Sequence, residues 1–592
     1  MLWNKLKDAN IRMFRHQLAS ADALPQLAFL GLISGTLAAV VIVIFRFAIE
    51  WPLSYFLPDQ NPENFEGLHW LTRGALPLSG AIIIGLFWYK LQISQRKIGI
   101  AYVMERLGYH QGYITFKSAL IQFFAGIVTM GTGHSAGREG PAVHLGAAFA
   151  SLLGQKMKLP NNSIRTLVGC GTAAAISASF DTPVAGVIFA MEVVMMEYTI
   201  AGFTPVILAS VSAAIISQSV YGSSYAFVVP QLEMSSLMDV PFVVAMGVVL
   251  GTLSAIFVRN LQYFMRFQSR PIFLRILAGG VLTALAAMVF PEIMGIGYDT
   301  VNQTILGELS LGLLCAVALV KLFVTATSVG LGMPSGIIGP TLFIGATAGG
   351  AMGVLGAFIA PESASSTGFY AMLGMGAMMG AVLQAPLAAL MALLELTHNP
   401  NIILPGMLII IVSSMVASEV FKQRSVFLTI LKQQGLDYHN EPVIQALRRV
   451  SVGSIMERNI HRSNRLIDLE KAKEILVHEP KWIIIDKNKK PISALPTADL
   501  ARHIEENNQR FKEAEVDPSA EKVMIDLLEI PAQRRDIAPL YYQATLQEAM
   551  DRFSESSAEA LLVEKTSAPM IKTVLGIITR ADIDSYYQYK RR

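Results

Sequence analysis

Residues 137–154, GREGPAVHLGAAFASLLG, align without a gap on residues 336–353, GIIGPTLFIGATAGGAMG, at an offset of 199. The two stretches share Gly137/Gly336, Gly140/Gly339, Pro141/Pro340, Gly146/Gly345, Ala147/Ala346 and Gly154/Gly353. A second pair follows in the same order. GTAAAISASFDTPVAGVIFAMEVV (171–194) matches GMGAMMGAVLQAPLAALMALLELT (374–397) at an offset of 203, with Gly171/Gly374, Pro183/Pro386 and Glu192/Glu395 in register. Two ordered matches at nearly equal offsets mark a duplicated half. Each half is apolar and broken by Gly and Pro. Interrupted helices at membrane depth survive only where protein or a water-filled cavity covers them. Repeats of this kind bring a substrate to the interface between the halves, near mid-membrane.

The rest of the chain agrees with a membrane setting. Of 592 residues, 53% are hydrophobic and only 15% charged, against about 25% in a typical soluble protein. Residues 1–440 hold 43 of the 91 charged residues and 441–592 hold the other 48, which marks a membrane part and a soluble part. A spanning helix needs about 20 apolar residues, and 27–49, 203–220, 240–258, 309–330 and 402–420 qualify. Segments 141–155, 165–178, 336–358 and 372–394 read as shorter and broken. The expected divisions are an amphipathic N-terminal segment (1–26), a transmembrane domain (27–435, with repeats of about 27–220 and 240–430), a linker (436–450) and a tail (451–592). Residues 1–26 carry Lys5, Lys7, Arg12 and Arg15 and have no signal-peptide pattern, so both termini are expected in the cytoplasm. A net charge of +3 is too small to argue for nucleic acid. Cys170 and Cys315 give neither a disulfide framework nor metal-ligand spacing.

Both repeats open with Gly-x-x-Gly-Pro ahead of an apolar run. Proline suits the first helical turn, and glycine lets backbone approach a ligand. A helix start exposes unpaired N–H groups and about half a positive charge, which is an anion site in waiting. Two such starts converging on one point would hold a dehydrated anion, whereas a cation would want carboxylates or carbonyls. Glu139 lies inside the first start. An ionisable residue in a membrane is a functional candidate by default, although the same carboxylate could simply stabilise a helix end. At an anion site its ionised side chain can take the anion's place and leave on protonation, so Glu139 is the candidate gate.

On these residues the chain resembles the CLC family of chloride channels and proton-coupled chloride exchangers, over about 27–435. The resemblance rests on GREGP (137–141), GIIGP (336–340), PVAGVIFAMEV (183–193) and QAPLAALMALLELT (384–397). It implies a homodimer with one anion pathway in each subunit and Glu139 as external gate. The anion sites would be lined by backbone amides around Gly137, Arg138, Gly140, Ile337 and Ile338. Three departures stand out. KIGIA (97–101) places Ile98 where the family usually has a serine hydroxyl, and SVFLTIL (425–431) places Phe427 where it has a tyrosine. Exchangers generally carry an inner glutamate just after the position of Glu192; here it is Val193, which cannot relay a proton. Glu192 and Glu395 recur in both repeats, so a structural role is expected of them. His134 and His144 are expected to be helix-packing residues, and Asp181 and Lys321 to be paired or to face interior cavities.

The tail reads as two α/β units, 452–504 and 541–588. Each has an amphipathic helix, a short apolar strand (WIII; ALLV), a turn, a strand and a helix. This resembles a tandem CBS pair. In nucleotide-binding examples, the positions of Thr579 and Asp582 in GIITRADI (576–583) hold the ribose of an adenine nucleotide. The first unit keeps only Asp499, with Pro496 in place of the threonine. The expected fold is therefore an α-helical polytopic membrane domain of inverted repeats plus an α/β CBS tandem. The expected function is a passive chloride channel in a bacterial inner membrane, gated by Glu139, needing no cofactor and not an enzyme. The alternatives are a proton-coupled exchanger and, remotely, a CBS-bearing cation transporter, for which residues 322–394 offer a single acid, Glu362, expected in a loop.

Overall fold

The computed structural model describes residues 24–590 except 199, 223–226, 228–232, 360, 362–363, 437–441, 488–489, 508–523 and 569–570. The expectations for residues 1–23 and for Glu362 lie outside the described residues. The described residues divide into two units, residues 24–157 with 164–439, and residues 158–163 with 440–592.

The first unit is all-helical. Its first half holds α1 (Leu24–Phe56), α2 (Trp70–Lys90), α3 (Gly99–Tyr109), α4 (Phe116–Gly131), α5 (Glu139–Lys156), α6 (Asn161–Phe180), α7 (Pro183–Phe189) and α8 (Ile200–Tyr221). The second half repeats the order with α9 (Val240–Met265), α10 (Ile272–Val289), α11 (Tyr298–Leu306), α12 (Leu311–Leu331), α13 (Ile338–Ile359), α14 (Thr367–Leu383), α15 (Pro386–Thr397) and α16 (Ile403–Met415), then adds α17 (Val426–Gln433). Among the described residues, eight helices are long and apolar enough to cross a membrane. Two of these, Trp70–Lys90 and Ile272–Val289, are absent from the sequence-based spans because Arg73 and Arg275 interrupt their apolar runs.

The structure corrects the reading of two segments. Residues 165–178 and 338–358 are not short, broken helices; they lie in continuous helices of 20 and 22 residues, and only 336–337 precede the second. Their glycines are packing surfaces. A Cβ on Gly146 would come within 2.3 Å of the Gly171 carbonyl oxygen, and one on Gly345 within 2.2 Å of that of Gly374. The aligned glycines are thus the same helix-to-helix approach, made once in each half. The breaks fall at helix starts instead, as at Gln384–Ala385, where α14 ends and Pro386 opens α15.

Glu192 and Glu395 tie the halves together. The N–H groups of Leu387 and Ala388 donate to the Glu192 carboxylate at 3.3 and 2.7 Å, and those of Val184 and Ala185 to Glu395 at 2.9 and 2.7 Å. Each acid caps the other repeat's helix, where a carboxylate is favoured by the unpaired amides and the helix dipole.

The second unit is α/β. Its first half runs β1 (Ile460–Asn464), β2 (Leu466–Asp468), α18 (Leu469–Val477), β3 (Trp482–Lys487), β4 (Lys490–Pro496) and α19 (Thr497–Glu506), followed by β5 (Met524–Asp526). The second half runs β6 (Arg535–Tyr541), α20 (Leu546–Glu555), β7 (Ala560–Ala568), β8 (Ile571–Thr579) and α21 (Arg580–Lys590). In both, a parallel pair (β1/β3; β6/β7) is followed by an antiparallel one (β3/β4; β7/β8), giving the sheet order β1-β3-β4-β6-β7-β8. The helix–strand–strand–helix order matches the sequence-based expectation, and the leading strands β1 and β6 are additions to it.

Candidate anion site

The loops that precede α5 and α13 cross one another. Gly137 and Gly336 exchange two backbone hydrogen bonds, N–H of each to the carbonyl of the other, at 3.0 and 2.8 Å. There is no room for a side chain: a Cβ on Gly336 would lie 2.5 Å from the Gly137 oxygen, and one on Gly140 2.8 Å from the Gly336 Cα. This contact brings the starts of α5 and α13 to one point.

Glu139 is wholly buried there. Its side chain leaves the start of α5 and ends on the start of α13, where the Gly339 N–H donates to Oε2 at 3.1 Å. The Tyr298 hydroxyl, from the start of α11, donates to Oε1 at 3.3 Å. The carboxylate thus sits among donors that would equally suit a small anion. Its amide partner is Gly339, one residue beyond the expected Ile337 and Ile338, both of which are buried beside it in the core. The sequence marks Gly339 as a repeat glycine of GIIGP but not as a donor to Glu139, and Tyr298 has only the Gly-Ile-Gly ahead of it as a local signal.

Arg138 turns its guanidinium away from this point. Nη1 donates to Glu50 at 3.0 Å and Nη2 to the Ser179 carbonyl at 3.0 Å. It borders a cavity of about 360 Å³ lined also by Glu50, Glu63, Asp181, Tyr298 and Asp299. Asp181 accepts from the Gln218 amide at 2.9 and 3.0 Å. Behind Tyr298, the wholly buried Lys321 ammonium donates to the carbonyls of Ile293, Gly295 and Ile296 at 3.2, 3.2 and 2.9 Å, and lies 4.0 Å from the centre of the Phe343 ring. Lys321 therefore fixes the segment that delivers Tyr298 to Glu139.

The remaining candidates are more dispersed. Ile98 caps α3 with backbone only, and its side chain packs with the cluster around Trp88, Ile121 and Ile276. Phe427 is buried in the first turn of α17, and α17 packs against α3. Val193 is buried in a π-helical turn, Ala190–Met195. His144 bonds Ser118 Oγ at 2.8 Å and stacks on Tyr102, as a packing residue does. In the second unit, Thr579 and Asp582 bond each other, Oγ1 to Oδ2 at 2.7 Å, and Asp499 pairs with Arg502 at 2.5 Å.

Glu63 and Glu66 lie in the loop between α1 and α2. Burial pushes Glu63 up to about 7, opposed by Arg138 and reinforced by Asp299 and Glu50. Burial likewise pushes Glu66 up to about 7, reinforced by Asp299 and Glu292 and opposed by the Thr300 hydrogen bond. The folded protein then holds protons that the unfolded chain has released by neutrality. This contribution to stability is full below the ordinary carboxylate range and is lost as pH rises through about 7. Glu63→Gln is expected to flatten the fall in thermal midpoint over that range; a fall as steep as in the unaltered protein would contradict the assignment.

A duplicated bundle of interrupted helices, with a buried carboxylate on the start of a second helix, defines an ion-transporting membrane protein. A family model described as "Voltage gated chloride channel" matches residues 80–418. The chain belongs to the CLC chloride channel family. It is 30% identical over 394 residues to a putative chloride channel protein ClcB-like of Ralstonia nicotianae, covering 64% of this chain and 91% of that one. It is 28% identical over 324 residues to an H(+)/Cl(-) exchange transporter ClcA of Salmonella paratyphi B, covering 52% and 68%. The fold resembles that of a slow cyanobacterial Cl-/H+ antiporter, with a TM-score of 0.60 at 22% identity over 71% of this chain and 98% of that one. A eukaryotic CLC transporter aligns at 0.56 and 18% identity over 94% and 97%.

Proposed function

We propose that this CLC protein conducts chloride passively, with Glu139 as its gate. The observation that carries the reading is the Glu139 carboxylate seated on the start of α13, between the Gly339 amide and the Tyr298 hydroxyl, where an anion would find the same donors. Val193 favours passive flow over coupling, since valine has no proton to pass. The protein would act as a homodimer in a bacterial inner membrane, with both termini in the cytoplasm. The second unit is read as a regulatory CBS pair with an adenine nucleotide as its candidate ligand at Thr579 and Asp582.

Proton-coupled exchange is the second reading. The Salmonella relative and the cyanobacterial structure are both named as exchangers. Glu197, four residues after Val193, is buried and pairs with Arg165 at 3.4 Å, which supplies that reading with a carboxyl. The two readings part in liposomes given a chloride gradient and an opposing pH gradient. For a channel, the voltage that stops net flux follows chloride alone. If that voltage shifts with pH, protons are coupled and the channel reading fails.

Ile98→Ser and Phe427→Tyr are expected to tighten chloride binding. Each restores a hydroxyl donor, and a hydrogen bond to a charged group contributes about 1.5–3 kcal/mol, roughly tenfold or more in affinity. Calorimetric chloride titration of the two variants checks this. Unchanged affinity in both would mean that these side chains do not face the anion.

A further inference from the structure

The start of α3 carries an unexplained donor. The Gly99 N–H is shared between Gln122 Oε1 at 2.9 Å and His144 Nδ1 at 3.0 Å. An N–H can only donate, so the Gln122 atom that faces it is the carbonyl oxygen, and the amide nitrogen is fixed as the other atom on the same carboxamide carbon. That nitrogen, Nε2, is buried and has no hydrogen-bond partner, in a residue only 1% exposed. Buried donors in folded proteins are almost always matched, and the exceptions call for a missing acceptor.

The neighbours do not supply one. His144 uses Nδ1 for Gly99, so its proton lies on Nε2 and is given to the Ser118 oxygen. Ile98, packed against the apolar cluster around Trp88 and Ile121, has no side-chain acceptor to offer. The α3 start therefore combines an 11-residue helix's N-terminal amides with two amide hydrogens held beside them by the Gly99 contact. A small monovalent anion is the acceptor this arrangement suits.

We propose that the Gln122 carboxamide is the side-chain donor to the transported anion at the start of α3, in the place where Ile98 offers no hydroxyl. This rests on the reading of the protein as a chloride pathway. Gln122 does two jobs from one group: its oxygen holds the Gly99 amide and its nitrogen binds the anion.

The test is chloride titration by calorimetry of the purified full-length protein, with thermal midpoints measured in chloride-free buffer. Gln122→Glu keeps an oxygen for the Gly99 N–H and replaces only the NH2. Gln122→Met removes the donor without adding charge. Both are expected to weaken chloride binding at least tenfold, with the Gln122→Glu midpoint unchanged. Unaltered affinity in Gln122→Met would show that any loss in Gln122→Glu is charge repulsion, and unaltered affinity in Gln122→Glu would show that no donor was lost; either result overturns the proposal. If Gln122→Met does not fold, Gln122→Glu is titrated as its carboxyl is neutralised by acid, and recovery of chloride affinity as the O–H donor appears is the expected result. Failure to recover overturns the proposal. If the unaltered protein neither binds nor moves chloride, the transport reading falls with it.

Discussion

Glu139→Ala is expected to leave chloride efflux from liposomes running at every pH, with its pH dependence gone. In the unaltered protein the carboxylate fills the space between the Gly339 amide and the Tyr298 hydroxyl. Proton binding removes its charge, and a single titrating carboxyl can make flux vary by up to about tenfold per pH unit. Alanine removes both the obstacle and the titrating group while leaving two donors for an anion. Glu139→Gln, permanently neutral, is expected to lose the pH dependence as well. Efflux assays over a pH series decide the matter. If Glu139→Ala retains the pH dependence of the unaltered protein, Glu139 is not the gate.

Lys321→Met is expected to have the largest effect on stability. The ammonium satisfies three carbonyls in a region closed to water. Methionine fills similar volume but leaves the carbonyls of Ile293, Gly295 and Ile296 without their donor, and each buried group left unsatisfied costs about 1–3 kcal/mol. Because those carbonyls precede Tyr298, the same variant should loosen Glu139 and raise chloride efflux at neutral pH. A lowered thermal midpoint with unchanged efflux would confine Lys321 to a structural role. An unchanged midpoint would contradict the geometry described.

The site was legible where its chemistry is local. Gly-x-x-Gly-Pro announces a helix start, and its recurrence announces two; the crossing of Gly137 with Gly336 is what those glycines are for. The gate carboxylate could be named because an acid beside a helix start in an apolar chain has few other uses. Gly339, Tyr298 and Lys321 were not legible as a group, since they meet Glu139 or one another only through the tertiary fold. Lys321 was visible as a buried charge, but nothing near it in sequence names the carbonyls of 293–296. The long α6 and α13 were misread because glycine breaks helices in water, whereas here it is the surface on which neighbouring helices lie. In the second unit, β3 and β7 were found as runs of aliphatic residues. β1 (IHRSN) and β6 (RDIAPLY) were missed because their residues are largely polar or exposed and carry no strong alternation.

The exchanged caps of Glu192 and Glu395 bear on how such a chain could arise. Neither half closes its own helix: α7 is completed by an acid from the second half, and α15 by an acid from the first. A single unduplicated half could obtain its missing carboxylate only by lending its own to another molecule of the same kind. A chain carrying one such half alone would therefore leave its helix start uncapped unless two copies paired and exchanged these acids.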